Sequence, residues 1–450
     1  MNIALIILAA GKGTRMQSEL PKVLHEVAGA PMLVHAMRAG RALDPKRTII
    51  IAGHGFEAVS AAACAEDPEV EVVRQEAQLG TGHAVDQARA ALSDFDGTVI
   101  VLYGDCPLIQ SRTLEELSAT LSDSAVSVLG FEAKDPARYG RLITDGDKLK
   151  RIVEFKDASP AERAVSLCNS GVMAASAGLL FDLLSEIDAN NASGELYLTD
   201  VIGKAVARGL PCTAVRCAER ETLGVNSRVE LMQAEKEFQN LRRTEALEDG
   251  VTMPAPETVH FSYDTVIGRD TIIEQNVVFG PGVTVESGAQ IRAFSHLEGA
   301  HVSRGCIIGP YARLRPGAEL AEDVKIGNFV EIKASALEEG AKVNHLSYIG
   351  DAHIGARANI GAGTITCNYD GVFKHQTIIG KRAFIGSNTA LVAPVRVGND
   401  AMTGSGSVIT EDVPEEGLAI ARAKQTNKPG LALRLMNRLK AAKTLKKQDK

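Results

Sequence analysis

Residues 267–291 read IGRDTIIEQNVVFGPGVTVESGAQI. A large apolar anchor returns at every sixth place: Ile267, Ile273, Phe279, Val285, Ile291 and Leu297. The rhythm resumes at Val302 (Ile308, Leu314, Leu320, Ile326, Ile332), at Leu337 (Val343, Ile349), at Ile354 (Ile360) and at Ile379 (Ile385, Leu391, Val397, Thr403, Ile409). A second register, four places after the anchors, is nearly always small: Val283, Ala289, Ala312, Ala318, Ala341, Ala358, Ala383, Ala401. Two registers that agree over residues 261–413 mark a hexapeptide array, and hence a parallel β-helix. Each hexad makes one short strand and a corner, and three hexads make one triangular coil around a column of aliphatic side chains. Glycine often follows the anchor (Gly268, Gly309, Gly327, Gly355, Gly361, Gly386). It is expected to let the backbone bend at the corners.

The whole chain has 450 residues, too many for one ordinary core, so two or three domains are expected. A net charge of −7 with 23% charged residues gives no global argument for nucleic acid. The last turns are basic (Arg434, Arg438, Lys440, Lys443, Lys446, Lys447, Lys450) and read as a solvated helix end. No apolar run reaches the roughly 18 residues of a membrane span. The apolar start, residues 3–10, is short and lacks a basic lead, so it reads as a buried strand and not as a signal peptide. Seven scattered cysteines without a CxxC spacing suggest neither zinc nor a disulfide framework. Free thiols in a reducing cytoplasm are the simple reading.

Residues 1–225 alternate strands and helices, with apolar runs at 3–8, 48–52, 70–73, 98–102, 126–129 and 213–215. This predicts an α/β domain with a mostly parallel sheet, whose ligands bind at the carboxyl ends of the strands. Two loops emerge there. The first is Leu8-Ala9-Ala10-Gly11-Lys-Gly13-Thr14-Arg15-Met16, followed by Pro21-Lys22. Glycines after a first strand let backbone amides approach an anion. The third glycine of a dinucleotide fingerprint is Met16 here, and the loop lacks the GK[ST] of a Walker A motif. Arg15 and Lys22 supply the charge that a nucleoside triphosphate needs; a plain tight turn with surface cations is the alternative. The second loop, Tyr103-Gly104-Asp105, ends a strand with a carboxylate that can hold Mg²⁺ or, more blandly, cap a helix. Residues 226–250 form a helical run that ends at Asp249-Gly250 before Pro254 and Pro256. It reads as an arm between the N-terminal domain and the β-helix domain of residues 251–450.

These loops resemble the sugar-nucleotide pyrophosphorylases, whose mark is LxAGxGTRM…PK. Gln75 with Leu79-Gly80-Thr81-Gly82-His83-Ala84, Tyr139-Gly140-Arg141, Glu154, Asn169-Ser-Gly171 and Gly224-Val-Asn226 are similar to the bacterial N-acetylglucosamine-1-phosphate uridyltransferases. The resemblance implies that the N-terminal domain is a Rossmann-like nucleotidyltransferase. Leu8, Ala9, Ala10, Gly11, Lys22, Gln75, Gly80, Thr81, Tyr103, Gly104 and Asp105 would bind the uridine nucleotide. Gly140, Glu154, Asn169 and Asn226 would bind N-acetylglucosamine 1-phosphate. Asp105 and Asn226 would ligate Mg²⁺, and Arg15 and Lys22 would stabilise charge on the phosphates. Cys106 stands where an aliphatic residue is expected and should pack, not react.

Two features of the array exceed scaffold. Arg315 and Lys333 each follow an anchor and lie three hexads apart, so they stack one coil apart. Strands about 4.8 Å apart leave two cations repelling by roughly 1 to a few kcal/mol. An anion between them reverses the sign, so the pair reads as a phosphate site, unless both side chains splay into solvent. His345 lies two places after Val343, as Ala362, Ser387 and Ser405 lie after Ile360, Ile385 and Thr403. If 367–377 is an inserted loop, these four form one column. A histidine heading a groove of small residues suits a general base beside a thin ligand.

With Arg313-Leu-Arg315-Pro-Gly317, Asn328-Phe-Val-Glu331-Ile-Lys333, Asn344-His345-Leu-Ser-Tyr348, Asn359-Ile-Gly-Ala-Gly363, Thr366-Cys-Asn368-Tyr369-Asp370-Gly371 and Arg422, the resemblance reaches the whole chain. It is to the bacterial bifunctional glucosamine-1-phosphate N-acetyltransferase/N-acetylglucosamine-1-phosphate uridyltransferases. It implies a homotrimer of left-handed β-helices, against the usual right-handed crossover. It also implies acetyl-CoA and UTP as co-substrates, a product that feeds peptidoglycan and lipopolysaccharide synthesis, and a cytoplasmic enzyme without nucleic-acid or membrane partners. By residue, His345 would be the base and Arg315 and Lys333 would bind the sugar phosphate. Tyr348, Asn359 and Asn368 would hold the sugar, and Asn368 with Ala362, Tyr369, Ser387, Ser405 and Arg422 would contact acetyl-CoA. Glu331 would orient His345. The C-terminal helix departs from the family in length and has no assigned role. Two other readings remain at this point: a single-activity pyrophosphorylase with a non-catalytic β-helix, and a nucleotide-sensing scaffold.

Overall fold

The computed structural model describes residues 2–137, 139–146 and 148–448, so Lys450 of the basic tail lies outside the described residues. The chain folds as two compact units. The first comprises residues 1–249 with 255–265 and 279–282; the second comprises 250–254, 266–278 and 283–450.

The first unit is built on a nine-stranded sheet. The opening strand, Ile3–Ala9, pairs in parallel with Arg47–Ala52 and with Thr98–Tyr103. Its continuous apolar run is explained by burial on both faces. Ile6 and Leu8 point into one core with Val99 and Val101, beneath helices Thr81–Asp86, Ala177–Leu184 and Asp200–Ala207. Leu5 and Ile7 point into the other with Ile100 and Leu102, beneath Met32–Arg41, Phe56–Glu66 and Ser111–Ala119. The apolar runs read from sequence coincide with strands. Strands Arg141–Asp145, Lys148–Val153 and Leu167–Ser176 carry too many polar residues to be seen that way. Leu167–Ser176 runs antiparallel between Thr98–Tyr103 and Val126–Glu132, with a register shift between Asn169 and Met173. Helix Arg228–Glu248, read as an inter-domain arm, belongs to the first unit. Its Ala234, Leu231 and Phe238 pack with Met16, Val27 and Met32, which a helix free of neighbours could not do.

The second unit is a coil of short parallel strands in three sheets of eight, nine and eight strands, a left-handed parallel β-helix. The anchors stack in register: Leu314 on Ile332 on Ile349, and Leu320 on Leu337 on Ile354 on Ile379 on Val397. The pairing of Ile354 with Ile379 carries the column past the insertion, which lies between strands Ile365–Cys367 and Thr377–Ile379. The corners correct one expectation. At many corners the residue three places after an anchor takes the left-handed conformation without being glycine: Asp270, Asn276, Phe294, Tyr311, Asp323, Phe329 and Leu346 all have φ between +51° and +61°, while after Ile332 and Ile349 the left-handed residue comes two places on, at Ala334 and Asp351. The glycines that directly follow anchors mostly do not bend the chain. They let neighbouring coils touch: a Cβ on Gly327 would lie 1.9 Å from the Asn344 carbonyl oxygen, and one on Gly361 2.5 Å from that of Ile385. Helix Leu431–Gln448 closes the chain, with Leu433, Leu435, Met436 and Leu439 exposed. Among the described residues no helix is long and apolar enough to cross a membrane.

Candidate active sites

In the first unit, a cleft of about 320 Å³ opens at the carboxyl ends of the parallel strands. Leu8, Ala9, Ala10, Gly11, Lys22, Gln75, Gly80, Thr81, Tyr103 and Asp105 line it, all drawn from the stretches singled out in the sequence. Gln78 and Glu195 also line it and had escaped notice, because neither belongs to a recognisable motif. The Gln78 Nε2 donates to the Ala10 carbonyl at 2.6 Å and so ties the glycine loop to the far wall. Gly104 N–H donates to the Leu8 carbonyl at 3.0 Å and ties the two loops together. Gly13 lies so close to Lys22 that a Cβ there would sit 2.6 Å from the lysine Cβ, so the loop can fold over Lys22 only as glycine.

Lys22 is the hub of the polar chemistry. Its Nζ donates to Asp105 Oδ2 and, at 3.0 Å, to Asn226 Oδ1. Asn226 is brought there by two bonds: Val225 N–H donates to the Asp105 carbonyl at 2.9 Å, and the Asn226 N–H donates to Glu230 at 2.7 Å. Its own amide nitrogen donates to the Gly224 carbonyl, which leaves the oxygen for Lys22. A carboxylate and an amide oxygen thus converge on one cation, and two hard oxygen donors suit Mg²⁺, which uses few protein ligands. Cys106 is buried and its thiol lies 3.7 Å from Asp105 Oδ1. Burial, reinforced by the Asp105 charge, raises its pKa well above the usual thiol range, so it packs as a protonated thiol. Burial likewise raises the Tyr103 phenol. Arg15 stands exposed in the short turn Thr14–Met16 at the cleft's glycine loop.

The residues expected to hold a sugar also converge. Asn169 N–H donates to the Gly140 carbonyl at 2.8 Å. A Cβ on Gly140 would lie 3.4 Å from the Glu154 carboxylate, so glycine leaves that oxygen open. Glu154 accepts from Thr199 Oγ1 at 3.2 Å. Partial burial raises its pKa against the pull of that bond.

In the second unit, Arg315 and Lys333 occupy stacked positions, with the Arg315 N–H donating to the Ile332 carbonyl. Each cation has a carboxylate: Arg315 meets Glu331 at 2.8 Å, and Lys333 meets Asp351 at 3.5 Å. Lys374, from the inserted loop, joins them and was not seen in the sequence, because only the folded insertion brings it near. The Lys333 ammonium beside it lowers its pKa below the usual lysine range. Tyr348 and Asn368 complete the cluster: Asn368 Nδ2 donates to Asp351 and, at 3.4 Å, to the Tyr348 hydroxyl.

The column headed by His345 is present. Val343 pairs with Ile360 and Ile360 with Ile385. The Gly363 N–H donates to the His345 carbonyl, that of Asn388 to Ala362 and that of Gly406 to Ser387. Arg422 donates to the Ser405 carbonyl at 2.6 Å and closes the line. Asn359 precedes Ile360 on its strand, and Tyr369 is exposed in the insertion. The partner of His345 is not Glu331, which is held by Arg315. Asn328, one coil below, meets His345 Nδ1 at 2.8 Å through its oxygen. An oxygen partner puts the ring proton on Nδ1 and leaves Nε2 as a base.

Residues 5–167 match the MobA-like NTP transferase domain, and residues 376–411 match the hexapeptide repeat of succinyl-transferase. The chain is 65% identical over 446 residues to the bifunctional protein GlmU of Ruegeria sp. (strain TM1040), covering 99% of each. It is 60% identical over 447 residues to that of Jannaschia sp. (strain CCS1), covering 99% of this chain and 98% of that one. It is 64% identical over 449 residues to that of Ruegeria pomeroyi, covering all of both. Among solved structures, a UDP-glucose pyrophosphorylase complexed with UDP-glucose matches 54% of the chain at 17% identity and a TM-score of 0.45, too slight to bear on the reading. Identity of this order along the full length, over two sites of different chemistry, excludes an inert β-helix: the chain belongs to the bifunctional GlmU family and is an enzyme with both uridyltransferase and acetyltransferase activities.

Proposed function

We propose that the two sites run successive steps of UDP-N-acetylglucosamine synthesis, with the residue roles that follow. The observation that carries the first step is that Lys22, Asp105 and Asn226 converge at the rim of a cleft walled by backbone and amide groups. UTP lies along the glycine loop, and N-acetylglucosamine 1-phosphate lies against Gly140, Glu154 and Asn169. A phosphate oxygen of the sugar attacks the α-phosphorus. The new P–O bond forms as the α–β bridge breaks, and pyrophosphate leaves. No covalent enzyme intermediate is needed, since positioning and cations on the developing charge suffice. Asp105 and Asn226, the oxygens that Lys22 meets here, would hold Mg²⁺, which would supply further neutralisation of the phosphates. Lys22 and Arg15 do the same from the protein side.

In the second step, Arg315, Lys333 and Lys374 hold the phosphate of glucosamine 1-phosphate, while Tyr348, Asn359 and Asn368 hold the ring. The amine attacks the thioester carbonyl of acetyl-CoA, which lies along Ala362, Ser387 and Ser405 towards Arg422. His345 Nε2 takes the amine proton, Asn328 stabilises the imidazolium through Nδ1, and as the C–S bond breaks His345 passes the proton to sulfur, so that CoA leaves as the thiol. A homotrimer is supported by an exposed ladder on the β-helix. Phe294, Tyr311 and Phe329 stack at 4.9 and 5.3 Å while remaining 47%, 47% and 56% exposed, an apolar stripe suited to cover by a second copy. A cytoplasmic setting agrees with free cysteines.

The test is to mix the full chain with acetyl-CoA and glucosamine 1-phosphate without UTP and to follow free CoA thiol. Wild type is expected to release thiol, and His345→Ala to lose at least about a hundredfold in kcat, the scale of general-base catalysis. Pyrophosphate release from UTP and N-acetylglucosamine 1-phosphate should persist in the same variant. Thiol release undiminished in His345→Ala would remove His345 from the mechanism.

A further inference from the structure

Gln75 follows strand Glu71–Arg74, is 5% exposed and lines the nucleotide cleft beside Gly80 and Thr81. Its main chain is fixed, the N–H donating to the Ala52 carbonyl at 2.8 Å. Its side-chain nitrogen meets two groups: the Gly80 carbonyl at 3.4 Å and Nδ1 of His83 at 3.0 Å. A carbonyl can only accept, so the NH₂ end of the carboxamide must face Gly80. The second N–H of that group then points at His83, whose Nδ1 must be the unprotonated nitrogen. A neutral imidazole has one such nitrogen. The Gln87 side-chain nitrogen also lies 3.3 Å from His83 Nε2, but it donates to the His83 carbonyl at 3.1 Å, and the shorter Gln75 contact assigns the acceptor to Nδ1 and the ring proton to Nε2. His83 is itself held. Its carbonyl accepts from Gln87 Nε2 at 3.1 Å, and the helix it sits on, Thr81–Asp86, is pinned at its start. There Gly82 N–H donates to the Leu196 carbonyl at 2.8 Å, and Thr81 Oγ1 accepts from Leu198 N–H at 3.0 Å.

We propose that His83 is a positioning residue that selects the nucleotide base by fixing the orientation of the Gln75 carboxamide. This rests on reading the cleft as the UTP site. With both N–H groups engaged, Gln75 offers a ligand only its oxygen, an acceptor. Uracil presents a donor, N3–H, between two carbonyls, and thymine does the same. Cytosine presents a lone pair at N3, which an acceptor repels. Without the acceptor at His83, one weak contact of 3.4 Å would hold the amide. The flipped rotamer, which offers NH₂ to the base, would then compete. A site built to pair with a donor discriminates most strongly against a ligand that leaves the pair unmade.

The experiment measures kcat/KM of the full chain for UTP and for CTP, with N-acetylglucosamine 1-phosphate, by pyrophosphate release. His83→Phe keeps a flat ring and removes the acceptor. His83→Asn places a carbonyl oxygen near the former Nδ1. The expected result is that His83→Phe narrows the UTP-over-CTP ratio about tenfold, mainly through a raised KM for UTP, the scale of one hydrogen bond. His83→Asn is expected to restore most of the ratio. An unchanged ratio in His83→Phe, or equal losses with both nucleotides, would overturn the proposal; if that variant melts early, His83→Met makes the same comparison. Failure of the underlying reading looks different: Gln75→Ala would then leave the KM for UTP unchanged.

Discussion

At the residue scale, the cleft lining could be read from motifs, because the glycine loop, Lys22 and the strand-end Asp105 all lie at the carboxyl ends of the first strands. What could not be read was partnership. Glu331 is three places from Asn328, and only the stacking of one coil on the next decides that Asn328 meets His345 while Glu331 meets Arg315. Lys374 was hidden for the same reason, since an inserted loop has no register until it folds. One residue carries a pH prediction. Burial raises the Glu154 pKa in the folded chain, whereas the unfolded chain titrates in the ordinary range. Well below that range the group is protonated in both states and contributes no pH dependence. As pH rises through it, the unfolded state ionises first, and folding stability falls until the raised folded value is passed. Glu154→Gln is therefore expected to raise the melting temperature at pH 7.5, with the gain vanishing by about pH 4, where glutamate is itself largely protonated. Melts of both proteins at the two pH values check this, and an equal gain at both would refute it.

At the element scale, the hexapeptide strand is too short to be stable alone, and its two residues gain order only from the coils above and below. This explains two classes of glycine. Gly327 has no room for a Cβ, because the Asn344 carbonyl oxygen of the next coil would lie 1.9 Å away. Gly288 sits at a corner with φ +74° and nothing within 4 Å of a built Cβ. Gly327→Ala is expected to destabilise the second unit by about 3 kcal/mol or more, since backbone must move. It should also impair acetyl transfer, because the displaced segment carries His345. Gly288→Asn should change stability by less than about 1 kcal/mol, since asparagine tolerates the left-handed region and Asn276 already occupies an equivalent corner. Thermal melts of the two variants separate close packing from backbone freedom; similar losses would show that the distinction is wrong.

At the scale of the whole molecule, two units of unlike architecture hold two unlike chemistries, and the question becomes how copies associate. The ladder of Phe294, Tyr311 and Phe329 exposes large rings at left-handed corners, where a solvated protein would place asparagine or aspartate. On the proposed homotrimer, Tyr311→Asp with Phe329→Asp is expected to lower the solution mass towards monomer, as read by light scattering. Acetyl transfer should fall with it, while uridylyl transfer, built within the first unit, persists. A double variant that stays trimeric would assign the interface to another face.

The amino-acid sequence by itself determined the β-helix, because a period of six with small residues in a second register has few other solutions. It likewise determined the parallel strands at the start of the chain, because runs buried on both faces are apolar throughout, but not the antiparallel strands that make the sheet mixed. It determined which motifs line the cleft of the first unit, since loops at the carboxyl ends of parallel strands converge there. Only the tertiary structure decided that Lys22 bridges Asp105 and Asn226, that His345 pairs with Asn328, that Lys374 joins the cation pair and that His83 holds Gln75. These contacts join positions whose distance along the chain carries no signal. They exist because strands and coils, packed for the burial of apolar side chains, bring polar groups within hydrogen-bonding distance.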